Sequence, residues 1–422
     1  MLNTDAPLTF GTGSSAVVDC CQVCGSNDFH SALFLGYLPP VNQMWEIGQR
    51  PHEQPGYPAE LLWCGNCALV QLGLIVDAQV LFPPGYPYTS GTTKILHENF
   101  QELREESVSL LGIGDDDLVV DIGSNDGTLL SKFGAGGHKV YGIEPTDAAD
   151  LAIAAGIPTT KAFFTPAAAE GVKSEAGKAK LVTATNCFAH IENIHNVVDG
   201  VLALLDDDGV FVSESHYLIA LLDTVQYDTI YHEHLRYYSL TSLKYLLESH
   251  GLEIIHARPI PTHGGSIRVY AALEGARPVQ PSVAEMLTAE AARGPLGQQL
   301  EDFKHRVVKS KVDLHALFSG IKANGERIYG ISAPSRASTL ANYAGIDDGV
   351  IDCVLEIKGS KKIGRYLPGT MIPVVEESKL FEDQPEYALI LAWHIADDLA
   401  LKLRSLGYSG KFIVPLPEPR II

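Results

Sequence analysis

Short apolar runs alternate with stretches of helical spacing over most of the chain, and the alternation predicts an α/β fold. A helical segment from about Thr92 to Leu111 follows a Pro/Gly/Tyr-rich stretch, residues 82–88, that carries Tyr86 and Tyr88. Next comes Asp117-Leu-Val-Val-Asp121-Ile, a buried strand that enters the turn Gly123-Ser124-Asn125-Asp126-Gly127 and a helix start at Thr128. Further strands are predicted at Lys139–Glu144, Lys180–Thr185 and Gly209–Glu214. A closing antiparallel pair lies at Leu252–Ala257 and Ser266–Ala271. With helices between them, these strands make a doubly wound sheet. A helical stretch from about Pro278 leads to a second α/β unit. Its strand at Glu326–Ile331 runs into a small-residue turn and a helix, and short strands follow at Val350–Leu355, Ile372–Val375, Ala388–Trp393 and Phe412–Pro415. No internal repeat or low-complexity tract breaks the pattern.

Composition narrows the classes. The 422 residues suit two or three domains. Apolar residues make up 46% and charged residues 19%, enough apolar material for real cores and unlike a disordered chain. With 31 Lys+Arg against 51 Asp+Glu, the net charge of −20 argues against a nucleic-acid groove binder, which needs cations to displace counterions. No run of about 18 apolar residues is present, so no membrane span is expected. Met1 to Phe10 carries Asp5 and no basic region, so no secretory signal is expected and a cytoplasmic location is.

The cysteines add a candidate metal site. Cys21-x-x-Cys24-Gly25 and Cys64-Gly65-Asn66-Cys67 are two turns that each aim two thiolates at one point, about 2.3 Å from a metal. Together they complete a tetrahedron for Zn²⁺, and the long connection between them is expected to form extra strands. Two disulfides or a thioredoxin-like redox motif are the competing readings. The absence of a signal sequence and of a βαβ pattern around either turn disfavours both. Four thiolates leave no open position, so this zinc is expected to be structural. Cys20 competes with Cys21, but the spacing and Gly25 favour Cys21. Cys187 and Cys353 sit in apolar runs and read as small buried hydrophobes. The expected organisation is a small zinc-binding domain over residues 1–90, a Rossmann-like domain over 91–276 and a C-terminal α/β Rossmann-like domain over 277–422.

Chemistry concentrates in three other places. The turn after Asp121 is glycine-containing, and the following strand ends in Glu144-Pro145 about twenty residues on, a layout that fits a nucleoside cofactor with the carboxylate on ribose hydroxyls. Asp121 and Asp126 would repel a pyrophosphate but suit the sulfonium of S-adenosylmethionine; a turn needed only for packing is the plainer reading. Strand ends at Asn186 to His190 and at Glu214 lie where open α/β sheets bind ligands. The segment Tyr227-Asp228-Thr-Ile-Tyr231-His232-Glu233-His234-Leu-Arg236-Tyr237-Tyr238-Ser239 gathers imidazoles, carboxylates and phenols that can serve as a general base and as donors to an oxyanion. His-x-His can also be a metal site, although no third ligand follows at helical spacing, and a polar loop with satisfied histidines is the bland alternative. His190 and His263-Gly264-Gly265 can face the same cleft. In the C-terminal unit, Ser335, Arg336 and Ser338 stand at a helix N-terminus that suits a phosphate, and Lys358 to Arg365 places four cations in eight residues of a strongly acidic protein.

In this order, the paired Cys-x-x-Cys turns, Asp-Ile-Gly-Ser-Asn-Asp-Gly, Tyr-His-Glu-His-Leu-x-Tyr-Tyr-Ser and Ala-Pro-Ser-Arg-Ala-Ser-Thr-Leu resemble one family over about Cys21 to Pro417. It is the S-adenosylmethionine-dependent C-methyltransferases of nucleotide-linked 4-keto-deoxysugars, makers of branched antibiotic sugars such as tetronitrose. The family often has Ala-Lys-Gly-x-Thr-Leu-Leu where this chain has Ser335-Arg336-Ala337-Ser338-Thr339-Leu340-Ala341, keeping the cation but losing the glycine. The resemblance implies a class I methyltransferase sheet in the middle domain and methylation at C-3 of a dTDP-linked sugar through an enolate. His234 would then be the base, with Tyr231 and Glu233 positioning it or the sugar. His190 and Tyr86 or Tyr88 would close around the keto sugar. Asp121, Gly123, Ser124, Asn125, Asp126, Glu144 and Pro145 would hold the cofactor, with Phe163 and Asn186 lining its pocket. Ser335, Arg336, Lys361 and Arg365 would receive the diphosphate. It also implies a monomer. Methylation at C-5, a small-molecule O- or N-methyltransferase, and a non-catalytic nucleotide-sugar binding protein are the alternatives.

Overall fold

The computed structural model describes residues 13–51, 53–83, 86, 89–92 and 94–422. Tyr88 and the Met1–Phe10 segment lie outside the described residues. Three large sheets organise the described residues, beside a two-stranded pair of Ser15–Val17 with Leu74–Val76. The N-terminal one is antiparallel, from strands at Phe29–Leu38, Tyr57–Cys64 and Val70–Leu72. Its fourth strand, Arg236–Tyr237, comes from much later in the chain and pairs Arg236 with Gln71 and Tyr237 with Val70. The histidine-rich segment is therefore built into the edge of the N-terminal unit.

The central sheet has seven strands, numbered here β1 (Leu118–Ile122), β2 (Lys139–Ile143), β3 (Thr159–Thr160), β4 (Ala179–Thr185), β5 (Leu205–His216), β6 (Leu252–Ile260) and β7 (Ser266–Leu273). Their order across the sheet is β3-β2-β1-β4-β5-β7-β6, parallel except for β7, which runs antiparallel to both β5 and β6. Every residue of β1 is buried, Asp121 included, as its apolar run Leu118-Val119-Val120 and Ile122 requires of a strand covered on both faces. Order reverses between β1 and β4, which opens a crevice at their carboxyl ends.

The C-terminal sheet repeats this plan. Strands at Ile328–Ile331, Cys353–Glu356, Val374–Glu376, Tyr387–Ile390 and Lys411–Val414 are all parallel, and Arg420–Ile421 adds an antiparallel edge. Numbered by their sequence, the five parallel strands lie in the order 3-2-1-4-5, so a second switch point falls between Ile328–Ile331 and Tyr387–Ile390. The helical stretch before this sheet is two helices, Pro281–Ala292 and Leu296–Ala323, broken at Gly294-Pro295. The edge strands Thr159–Thr160 and Arg420–Ile421 are too short to leave a periodic signal. Among the described residues, no helix is long and apolar enough to cross a membrane.

Candidate active site

The Cys-x-x-Cys turns bring the Sγ atoms of Cys21, Cys24, Cys64 and Cys67 within 4.8 Å of one another, with Cys21–Cys67 and Cys24–Cys64 each at 3.5 Å. Ligands about 2.3 Å from a tetrahedral centre stand roughly 3.8 Å apart, so this donor set fits Zn²⁺. Three of the four cysteines are buried, and sulfur fills every position. Cys20 is exposed and outside the cluster. Cys353 is buried, whereas Cys187 is half-buried and joins a cavity wall.

That cavity, about 710 Å³, lies where the two switch points face each other. On the central side, Gly123 turns the chain at φ +68°, and a Cβ there would come 2.9 Å from the Cys187 Cβ, so the turn requires glycine. The Gly123 N–H donates to Ile143 (2.8 Å), which carries the turn over the end of β2. There Glu144 accepts from the Asn125 N–H (3.0 Å), the Thr146 N–H (2.9 Å) and the Thr146 hydroxyl (2.6 Å). Asp121 accepts from Thr183 (2.6 Å). Burial pushes its carboxyl up to about 7 against that bond, with Glu144 and Glu214 adding to the rise. Ser124 Oγ and Asn186 Oδ1 line the cavity and are buried without a hydrogen-bond partner, and Pro145 and Phe163 complete this wall. Two carboxylates, unsatisfied polar atoms and an aromatic face fit the sulfonium, ribose and adenine of S-adenosylmethionine. Asp126 does not line the cavity: it accepts from the Gly91 N–H (2.9 Å) and the Thr128 hydroxyl (2.6 Å), tying residues 90–92 to the helix start. Glu214 is not a ligand-facing strand end either. It is fully buried against Arg268 (2.6 Å) and Asn99 (2.8 Å), behind the sheet.

The histidine-rich segment divides by direction. His232 turns to the Pro58 carbonyl (3.1 Å) in the N-terminal unit, and Arg236 holds the carbonyls of Ile191 and Glu192. Both are held by backbone carbonyls, and His232 turns away from the cavity that His234 lines. His234 faces the cavity with Nδ1 2.7 Å from the Thr229 carbonyl, which assigns the proton to Nδ1 and leaves the Nε2 lone pair open. Its ring lies 4.1 Å from Tyr231, 4.9 Å from His190 and 4.8 Å from His216. Burial, then the neighbouring His190, holds its imidazole well below the ordinary histidine range. Burial likewise lowers His190 to about 4 and keeps the Tyr231 phenol protonated. Glu233 accepts from the Tyr86 hydroxyl (2.7 Å) and the Asn42 amide (2.8 Å), and burial raises its carboxyl to about 7. Asn42 also accepts from Ser335 (3.2 Å), so residues of the N-terminal, central and C-terminal units meet at Asn42.

On the C-terminal side, Arg336 is buried and reaches across to the central unit. Its guanidinium donates to the His263 carbonyl (3.0 Å) and to Gln226 (3.3 Å), and it lies 3.7 Å from Asp228. Asp228 in turn accepts from the Trp393 indole (2.7 Å). Lys361 and Arg365 are exposed and outside the cavity. Their neighbour Lys362 lines it, donating to the Ala333 carbonyl (2.5 Å). Sequence reasoning missed Asn42, His216 and His394, which all line the cavity, and within the Lys358–Arg365 cluster it chose Lys361 and Arg365 over Lys362. His394 follows the strand at Tyr387–Ile390, so the switch-point rule was a signal for it.

Three family models match the chain: a zinc binding domain over residues 21–82, a methyltransferase domain over 95–257 and a C-methyltransferase C-terminal domain over 261–417. C-methyltransferase NovU of Streptomyces niveus is 35% identical over 409 residues, covering 96% of this chain and 97% of that one. Among solved structures, an S-adenosylmethionine-dependent methyltransferase from Clostridium acetobutylicum is 13% identical with a TM-score of 0.34, over 42% of this chain and 92% of that one. Magnesium protoporphyrin IX methyltransferase from Synechocystis, with bound SAM, is 15% identical with a TM-score of 0.31, over 41% and 79%. The full-length match to a C-methyltransferase, together with a donor set for zinc and a pocket for the sulfonium cofactor, makes this chain a member of the S-adenosylmethionine-dependent C-methyltransferase family.

Proposed function

We propose that the protein methylates C-3 of a dTDP-linked 4-keto-deoxysugar, in the making of a branched antibiotic sugar. The observation that carries this reading is the single cavity in which an open imidazole nitrogen, His234 Nε2, stands between an acidic pocket and a cationic one. When bound, S-adenosylmethionine supplies an electrophilic methyl group. Asp121 and Glu144 hold the cofactor from the central side, with Ser124 and Asn186 as further polar contacts. The nucleotide diphosphate takes the opposite side, along Ser335, Arg336 and Lys362.

A 4-keto group acidifies the carbons beside it, and C-methylation needs one of them as a nucleophile. His234 is uncharged at neutral pH, so Nε2 can take that proton. Tyr231, held as the phenol, donates to the oxygen on which charge develops. Glu233, with Tyr86 and Asn42, positions the sugar, and His190 closes the pocket over it. Holding the two reactants in one cavity supplies much of the remaining rate. The zinc thiolates take no part in the reaction, because all four positions are sulfur.

The test is solvent deuterium exchange into a dTDP-4-keto-2,6-dideoxy sugar, followed by NMR with and without S-adenosylmethionine. Enzyme-dependent exchange and a new methyl at C-3 are expected. The same pair of events at C-5 moves the assignment to C-5. Methyl transfer to a hydroxyl, or neither event with the sugar bound, overturns the enolate reading.

A further inference from the structure

Between β6 and β7 the chain reads Thr262-His263-Gly264-Gly265. His263 adopts φ +56° and ψ 19°, a left-handed conformation uncommon outside glycine. The two glycines after it stand at φ +91° and +120°, and a Cβ at Gly265 would come 2.5 Å from that of Ala220. Three hydrogen bonds hold the turn: Arg336 to the His263 carbonyl (3.0 Å), Gln226 to the Gly264 carbonyl (2.7 Å) and the Gly265 N–H to the Thr262 carbonyl (2.9 Å). A local conformation over-determined in this way, at the rim of a cavity, is a mark of function.

The held side chain is itself unsatisfied. His263 lines the cavity, its ring 5.7 Å from His216, and its Nε2 is buried without a hydrogen-bond partner. A buried unpaired nitrogen is costly unless a ligand atom meets it. The ring belongs to the end of the cavity where Arg336 and the N-terminus of the helix Ser335–Ala344 lie. On the other side, His216 joins it to His234. A group there sees the link between sugar and nucleotide rather than the base or the reacting carbon.

We propose that His263 donates a hydrogen bond through Nε2 to the sugar-linked phosphoryl group of the substrate, and so selects a diphosphate-linked sugar. The proposal rests on the nucleotide-sugar reading above. Burial, then the nearby Arg336, lowers the imidazole to about 4, so the ring is neutral and the proposed bond uses its Nε2–H tautomer.

The experiment measures binding of thymidine diphosphate and thymidine monophosphate by calorimetry to the zinc-loaded protein and to His263→Asn and His263→Gly. Asparagine tolerates the left-handed backbone and glycine suits it, so neither strains the turn. Unchanged S-adenosylhomocysteine affinity identifies folded variants. Loss of one hydrogen bond to a charged group predicts diphosphate affinity about tenfold weaker in both variants, with monophosphate affinity unchanged. Wild-type diphosphate affinity in both folded variants, or equal loss for the two nucleotides, overturns the role of His263. Failure of the wild type to bind either nucleotide overturns the nucleotide-sugar reading, and this inference with it.

Discussion

The two doubly wound sheets solve the same backbone problem and finish it with opposite charge. After its first strand, each turns on a residue of positive φ: Gly123 at +68° and Ser332 at +66°. Each of those residues donates its N–H to the end of the second strand, Gly123 to Ile143 (2.8 Å) and Ser332 to Leu355 (2.9 Å). A glutamate at or just past the end of each second strand accepts an N–H from the turn, Glu144 from Asn125 (3.0 Å) and Glu356 from Ala333 (2.7 Å). There the likeness stops. On the central side Asp121 and Glu144 face the cavity, whereas on the C-terminal side Lys362 and Arg336 do, with Glu356 behind them. The strand order fixes where a ligand can sit, and the sign of a few side chains decides which ligand it is.

The largest test strikes the atom between the two pockets. His234→Asn is expected to lower the rate of single-turnover methyl transfer by about 10³-fold, the contribution of a positioned general base, while S-adenosylhomocysteine affinity stays put. A rate near wild type removes His234 from the proposed base role. Next come the pockets themselves, which should fail separately. Glu144→Ala is expected to weaken S-adenosylhomocysteine binding by roughly 10- to 100-fold without touching nucleotide binding, and Lys362→Met to do the reverse by about tenfold. Crossed effects, with each variant impairing the other ligand, would mean that the charges act on the cavity as a whole.

Acid should act on the space between the sheets through its buried histidines and carboxyls. His190 and His263 are held near 4 by burial, against about 6.5 in an unfolded chain. The unfolded chain therefore binds protons that the folded one does not between those values. The contribution of these two histidines is complete above about pH 6.5 and is lost as pH is lowered towards 4, by at most about 1.4 kcal/mol per group per pH unit, while Asp121 and Glu233, raised to about 7, contribute with the opposite sign over the same range. Urea midpoints measured across that range isolate the histidine term by difference: relative to its own value at neutral pH, His263→Asn should be more acid-resistant than the wild type. The smallest effect separates the two turns. Ser332→Gly relieves a left-handed serine and is expected to stabilise by up to about 1 kcal/mol. Gly123→Ala, with its Cβ against Cys187, is expected to destabilise and to cost cofactor affinity. Equal melting shifts in the two variants would break the comparison.

Much of this was legible in the chain because it is local. The cysteine spacing, the turn after Asp121 and the segment through His234 each carry their chemistry within a few consecutive residues. What was not legible depends on which way a side chain points, or on residues remote in sequence. Asp126 was read as facing the cofactor because its charge sits in the right turn, but it satisfies the Gly91 N–H instead. Lys361 and Lys362 are adjacent cations in a segment without regular periodicity, and only the fold says which one turns inward. Asn42 is an ordinary polar loop residue until Glu233 and Ser335 are brought to it from the other two sheets.

The two-residue strand at Arg236–Tyr237 bears on how the chain is made. The zinc unit is translated first, yet its last strand is encoded beyond five strands of the central sheet. A nascent N-terminal unit can collect its metal but cannot complete its sheet until β1–β5 have left the ribosome. Completing it draws the neighbouring His234 into register, so the wall of the cavity that His234 forms is set by a late, long-range closure of the N-terminal sheet.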